Sequence, residues 1–182
     1  MKEVIDQLRN GDIILYPADI SWAIGCDATN ESACERLNLI HPTSVASKFT
    51  LLVDGFPMLE RYIPDFHEVC YDLVDYATKP LTIVYPNAQG IAESILTEDG
   101  SIGIRITTDH FCKKLIQGMR KPLVCLETHR NDGKVPAYFA DIDENVKSRV
   151  DHIVLERTEE KISHSVQEIK IGLSGEVTII QK

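Results

Sequence analysis

Short apolar runs constrain what this chain can fold into more than any other feature. Ile13-Ile14-Leu15-Tyr16 is halted by Pro17, and comparable runs recur at residues 49–53, 81–85, 102–106 and 122–126. Apolar, often β-branched residues on successive positions over so short a span describe strands buried on both faces, because a strand with one wet face alternates instead. Two final strands are expected at residues 165–169 and 177–180, with Ser174-Gly175-Glu176 as the turn between them, and a shorter apolar run at 153–155 precedes them.

Segments with helical period lie between these runs. Val4, Ile5 and Leu8 form one apolar face, and Asn10-Gly11 supplies a C-cap. Thr29 or Asn30 caps a helix carrying Ala33, Leu37 and Ile40, which Pro42 ends. Residues 57–62 suggest a short helix, and residues 65–76 a longer one with Val69, Leu73 and Tyr76 on one face. Asp109 opens a helix that runs through Ile116, and residues 142–150 carry a weaker helical pattern. Residues 87–100 read as a surface excursion. Strands alternating with helices give an α/β fold: a single twisted sheet, mixed parallel and antiparallel, with helices on both faces.

The length of 182 residues suits one domain, expected to span 1–182. Nineteen basic against twenty-eight acidic residues leave a formal charge of -9, which repels a phosphate backbone unless the basic groups gather locally. Five cysteines with no C-x-x-C spacing indicate reduced, buried thiols rather than disulfides or a zinc knuckle. The N-terminus lacks an apolar signal core, and no run approaches the ~20 apolar residues of a membrane span. A cytoplasmic location away from membranes is expected.

The stretch Tyr16-Pro17-Ala18-Asp19-Ile20-Ser21-Trp22-Ala23-Ile24-Gly25-Cys26-Asp27-Ala28 is similar to a family signature, Y-P-T-D-T-V-Y-G-L-G-C-D-A. Ser47-Lys48-Phe49-Thr50-Leu51-Leu52-Val53, Lys79-Pro80-Leu81-Thr82-Ile83-Val84 and Ser101-Ile102-Gly103-Ile104-Arg105-Ile106 follow in the same order and spacing. These segments resemble the threonylcarbamoyl-AMP synthase family, the YrdC/YciO-like α/β domain. The resemblance implies a ligand cleft lined by residues 16–25. It also implies a reaction that joins L-threonine, bicarbonate and ATP for tRNA modification, with ATP and magnesium as cofactors where that activity survives. Such chemistry needs cations on the triphosphate and donors around the adenylated intermediate.

The charged motifs depart from the family's pattern. Its K-x-R positions align with His41 and Thr43, leaving Lys48 downstream, and its S-x-N motif falls on Glu127 and His129. The threonines of Y-P-T-D-T become Ala18 and Ile20, and a late serine-threonine pair maps onto His164 and Ser165. Replacing an ammonium and a guanidinium by an imidazole and a hydroxyl removes two permanent charges from a phosphate site. The resemblance therefore implies a divergent member whose synthase activity is lost or altered.

Asp19 and Arg105 each have two readings, a cleft role or an internal hydrogen bond or ion pair. Trp22 is either a base-stacking platform or core. Two alternatives accompany the main reading. One is a module that binds a nucleotide or double-stranded RNA without chemistry. The other is a divalent metal site built from His41, Glu127 and His129, since imidazoles with a carboxylate are a ligand set for transition metals.

Overall fold

The computed structural model describes residues 1–40 and 49–181. Its strands are β1 (Ile14–Pro17), β2 (Trp22–Gly25), β3 (Thr50–Val53), β4 (Leu81–Tyr85), β5 (Ile102–Ile106), β6 (Leu123–Glu127), β7 (His152–Ile153), β8 (Gln167–Ile171) and β9 (Val177–Gln181). Its helices are α1 (Lys2–Arg9), α2 (Glu31–Ile40), α3 (Phe56–Tyr62), α4 (Val69–Asp75), α5 (His110–Met119) and α6 (Glu144–Lys147). The strands form one nine-stranded sheet in the order β7-β1-β2-β6-β3-β5-β4-β8-β9. Parallel pairs (β1 with β7, β3 with β5, β4 with β8) mix with antiparallel ones, as the strand and helix pattern predicts.

Register gives the sheet two chemically distinct faces. One row runs Leu51, Ile104, Ile83, Ile169 across β3, β5, β4 and β8, and all four side chains are buried. Each such side chain contributes roughly 1.5–3 kcal/mol of transfer free energy. The alternate positions carry Leu52, Arg105, Thr82 and Glu168, and Cys125, Thr50 and Gly103 lie in the adjacent row. Period-two alternation thus turns an apolar face to the core and leaves a partly polar face opposite.

Local signals work as the sequence suggests at several ends. Helix α1 stops at Gly11, whose φ of +88° is the left-handed conformation a C-cap glycine supplies. Asn30 caps α2, its side chain accepting from the Ala33 N–H at 3.1 Å, and Asp109 caps α5 by accepting from Cys112 N–H at 2.9 Å. Gly25 is required by close approach, since a Cβ there would stand 1.9 Å from the Val124 carbonyl oxygen.

Other expectations need correction. Residues 22–25, given no strand above, form β2, paired antiparallel with β1 and β6. The helix expected over 65–76 is only Val69–Asp75, and Tyr76 is 83% exposed rather than on its apolar face. The helix expected over 142–150 shrinks to Glu144–Lys147. The run at 153–155 yields the two-residue strand His152–Ile153, with Leu155 turned to solvent.

Candidate functional site

The tight turn after β1 starts the site. Pro17 ends the strand, the Ala18 N–H donates to the Ser21 carbonyl at 3.0 Å, and the chain returns as β2. Asp19 sits at the tip and does not bond the turn. Its carboxylate instead reaches across the sheet to Arg105 on β5, accepting from Nε at 2.8 Å and from Nη2 at 2.8 Å. The same guanidinium donates to Thr82 Oγ1 at 2.8 Å and approaches Cys125 Sγ at 3.9 Å. Both side chains of the ion pair are buried, at 2% and 8% exposure.

Electrostatics favour the charged form of Arg105. Burial pulls the Arg105 pKa down, but the adjacent Asp19 carboxylate outweighs it and the net shift is upward. Burial also pushes the Cys125 thiol up to about 12, so it stays protonated despite the neighbouring guanidinium. Planar, bidentate geometry with both partners desolvated makes this a strong charge-assisted contact.

A second group lies where β6 ends. Ser21 Oγ donates to Glu127 at 3.3 Å, and Thr128 donates to the Trp22 carbonyl from both N–H (3.0 Å) and Oγ1 (2.9 Å). His129 is buried; desolvation lowers its pKa, and the nearby Glu127 carboxylate opposes that shift. Trp22 is fully buried and packs on Phe139 with ring centroids 5.1 Å apart, the environment of a core residue. Among the described residues its indole N–H has no hydrogen-bond partner.

The sequence-derived candidates separate as follows. Ala18, Asp19, Trp22, Glu127 and His129 meet along the β1–β2 turn and the end of β6, with Arg105 joined to them through Asp19. The exposed His164 approaches the same turn, its N–H donating to the Ile20 carbonyl at 3.0 Å, and Ser165 follows it. His41, Thr43 and Lys48 lie outside the described residues. Among the described residues, no group of three or more His, Cys, Asp or Glu side chains is arranged to hold a metal ion.

Two cavities adjoin this face. One of about 590 Å³ is lined by Asp19, Arg105, Phe56, Lys79, Leu81 and Asp109. The other, of about 650 Å³, is lined by Phe49, Thr50, Val84, Leu96 and Lys170, among others. Thr82 and Lys79 were not singled out from the sequence. The signal for Thr82 was there, as a polar residue inside an otherwise apolar strand run, Leu81-Thr82-Ile83-Val84.

Comparisons with known proteins agree with this architecture. The Sua5/YciO/YrdC family model, described as "Telomere recombination", matches residues 6–181. The chain is 30% identical over 120 residues to the threonylcarbamoyl-AMP synthase of Pseudoalteromonas translucida (strain TAC 125). That match covers 64% of this chain and 64% of the enzyme, just under two thirds of its length. Among solved structures, E. coli YciO superposes with a TM-score of 0.80 at 18% identity, over 100% of this chain and 87% of YciO. P. abyssi Sua5, solved in complex with L-threonine, gives 0.76 at 16% identity, over 92% of this chain and 50% of that one. No helix among the described residues is long and apolar enough to cross a membrane. With nearly all of its length inside the family model, the chain belongs to the Sua5/YciO/YrdC family and is related to the threonylcarbamoyl-AMP synthases.

Proposed function

We propose that this protein is a divergent member of its family that keeps a small-molecule cleft beside the β1–β2 turn and has lost or altered ATP-dependent threonylcarbamoyl-AMP synthesis. The observation that carries this reading is the Glu127 carboxylate at the end of β6, where the resemblance places a serine. The retained Arg105 is bonded to both oxygens of the equally retained Asp19 and to Thr82, so it offers no charge that replaces a missing cation. A bound triphosphate needs positive charge that is free to meet it. At the other end of the face Glu127 places a carboxylate near any approaching anion. Lys79 also lines the cavity, but one ammonium does not replace the two permanent charges missing from the family's K-x-R positions, and the pair of Arg105 with Asp19 adds none.

The L-threonine in the P. abyssi complex suggests the size and polarity of ligand to try first. A cavity of about 590 Å³ is within the range of ordinary ligand pockets. The test is pyrophosphate release from ATP with threonine and bicarbonate, beside thermal shifts with ATP, AMP, threonine and magnesium singly and together. Release is expected to be at least ~100-fold slower than in a relative carrying both charged motifs, since one misplaced donor alone costs about 10²- to 10³-fold. Stabilisation by threonine without ATP supports the cleft reading. Stabilisation by nucleotide alone favours a binding module, and a release rate matching the relative's overturns the proposal.

A further inference from the structure

The chemistry of a cavity is set by the groups that remain unpaired in it. The cavity of about 590 Å³ lies where β4 starts and β5 ends, and Asp19, Asp75, Lys79, Arg105 and Asp109 are the charged side chains on its walls. Arg105 and Asp19 are bonded to each other. Asp109 accepts from the Cys112 N–H at 2.9 Å through one oxygen and from Arg157 at 2.9 Å through the other. Among the described residues, Asp75 and Lys79 have no such partner and are not paired with each other. One free carboxylate and one free ammonium therefore face a cavity whose other charges cancel.

Both free groups stand at the mouth. Asp75, Thr78, Lys79 and Thr108 are exposed, whereas Phe56, Val74, Leu81 and Ile106 are half-buried. The mouth is thus polar and the walls behind it are apolar, an arrangement in which a few polar groups orient a ligand and hydrocarbon holds it. Asp75 closes the last turn of α4, which contains no basic residue. A carboxylate beside the unpaired carbonyls of a helix C-terminus is a place for a cation.

Resting on the small-molecule reading of this cleft, we propose that the cavity binds a free α-amino acid with a large aliphatic side chain. The ligand's carboxylate meets Lys79, its ammonium meets Asp75, and its side chain lies against Phe56, Leu81 and Ile106. A nucleotide is disfavoured, because its phosphates bring several negative charges beside Asp75 and find one ammonium. Threonine matches the charged mouth but leaves its hydroxyl among apolar side chains. Leucine instead fills that space, each added methylene gaining about fourfold in affinity.

Isothermal titration calorimetry of the full chain with L-leucine, L-threonine, 4-methylpentanoate and isopentylamine tests the proposal. Leucine is expected to bind at least ~10-fold more tightly than threonine, and ~10-fold more tightly than either analogue lacking one charge. Lys79→Met is expected to weaken leucine about tenfold and leave isopentylamine unchanged. Asp75→Asn is expected to weaken leucine about tenfold and leave 4-methylpentanoate unchanged. Both residues are exposed, so thermal unfolding of the ligand-free variants is expected to match the parent. Threonine binding as tightly as leucine overturns the aliphatic preference and leaves the small-molecule cleft standing. Leucine that binds but ignores both substitutions overturns the site. Binding of neither amino acid overturns the inference, and the cleft reading falls as well only if the nucleotides tested above also give no thermal shift.

Discussion

The polar face of the sheet is closed at one end and loosely held at the other. On β5, Arg105 is locked to Asp19 through two bonds of 2.8 Å with both side chains buried. At the end of β6, Glu127 meets Ser21 through a single contact of 3.3 Å and is half-buried. Asp19 and Arg105 stand in segments that resemble the family signature, whereas Glu127 and His129 are the positions at which the sequence reading expects its S-x-N motif. Charge complementarity within the chain closes one end. At the other, Glu127 stands near enough to the buried His129 imidazole to oppose the effect of burial on its titration.

The sharpest way to break this contrast is to unlock the closed end. Arg105→Met leaves the Asp19 carboxylate buried without its partner, and urea denaturation is expected to show a loss of ~3–5 kcal/mol. Asp19→Leu combined with Arg105→Met removes both charges and is expected to recover most of that loss, because a buried pair replaced by apolar groups is often neutral. If the double variant is as unstable as the sum of the two single variants, the pair is not coupled and the contrast fails.

The next effect is on rate. Converting His41→Lys, Thr43→Arg, Glu127→Ser and His129→Asn together introduces the charges and donors that the resemblance assigns to the family motifs. Pyrophosphate release is expected to rise by about 100-fold, equivalent to ~2.7 kcal/mol of barrier. Should the variant bind ATP yet release pyrophosphate no faster than the parent, missing charge is not what limits the reaction, and the explanation from these four positions is overturned.

Much of the fold was legible because buried strands are written in consecutive apolar residues. The runs that became β1, β3, β4, β5 and β6 need no tertiary information to recognise. Strand β2 was missed for a physical reason: Trp22-Ala23-Ile24-Gly25 is only four residues long and looks like a loop continuing from the turn at Asp19. Two apolar segments separated by the turn Ala18 to Ser21 were the hairpin signal. Tyr76 fits the helical period of Val69 and Leu73, but the helix stops at Asp75, so the period had nothing to act on. The Asp19–Arg105 lock spans 86 residues of sequence, and only the sheet order brings its ends together. Sequence spacing therefore showed the retained residues but not that they are spent on each other.

A smaller effect is expected from the bond between Ser21 and Glu127 at the end of β6. Ser21→Ala removes the hydroxyl that meets Glu127, at a cost of about 0.5–1.5 kcal/mol and well below the loss at Arg105. Chemical denaturation of the two variants side by side ranks the ends directly. Equal losses mean that Glu127 is held as firmly as Arg105, by contacts that Ser21 organises.

The weakest effect is pH-dependent and comes from His129. Burial lowers its pKa in the folded protein below the ordinary value of 6.5, with Glu127 opposing part of the shift. In the unfolded chain the imidazole titrates near that ordinary value, so between the two pKa values the unfolded state binds more protons than the folded one. Stability from this group is therefore fully present above about pH 6.5 and falls as pH drops toward the folded pKa, below which the difference levels off. His129→Gln removes the titration while keeping a polar side chain. The parent is expected to lose melting temperature relative to this variant on going from pH 7.5 to 5.5, and subtracting the two curves cancels groups that titrate alike in both. Parallel curves would mean that His129 titrates alike in folded and unfolded chains. A parent that gains stability on acidification would mean that Glu127 outweighs burial, making the loose end a charged pair rather than a desolvated imidazole.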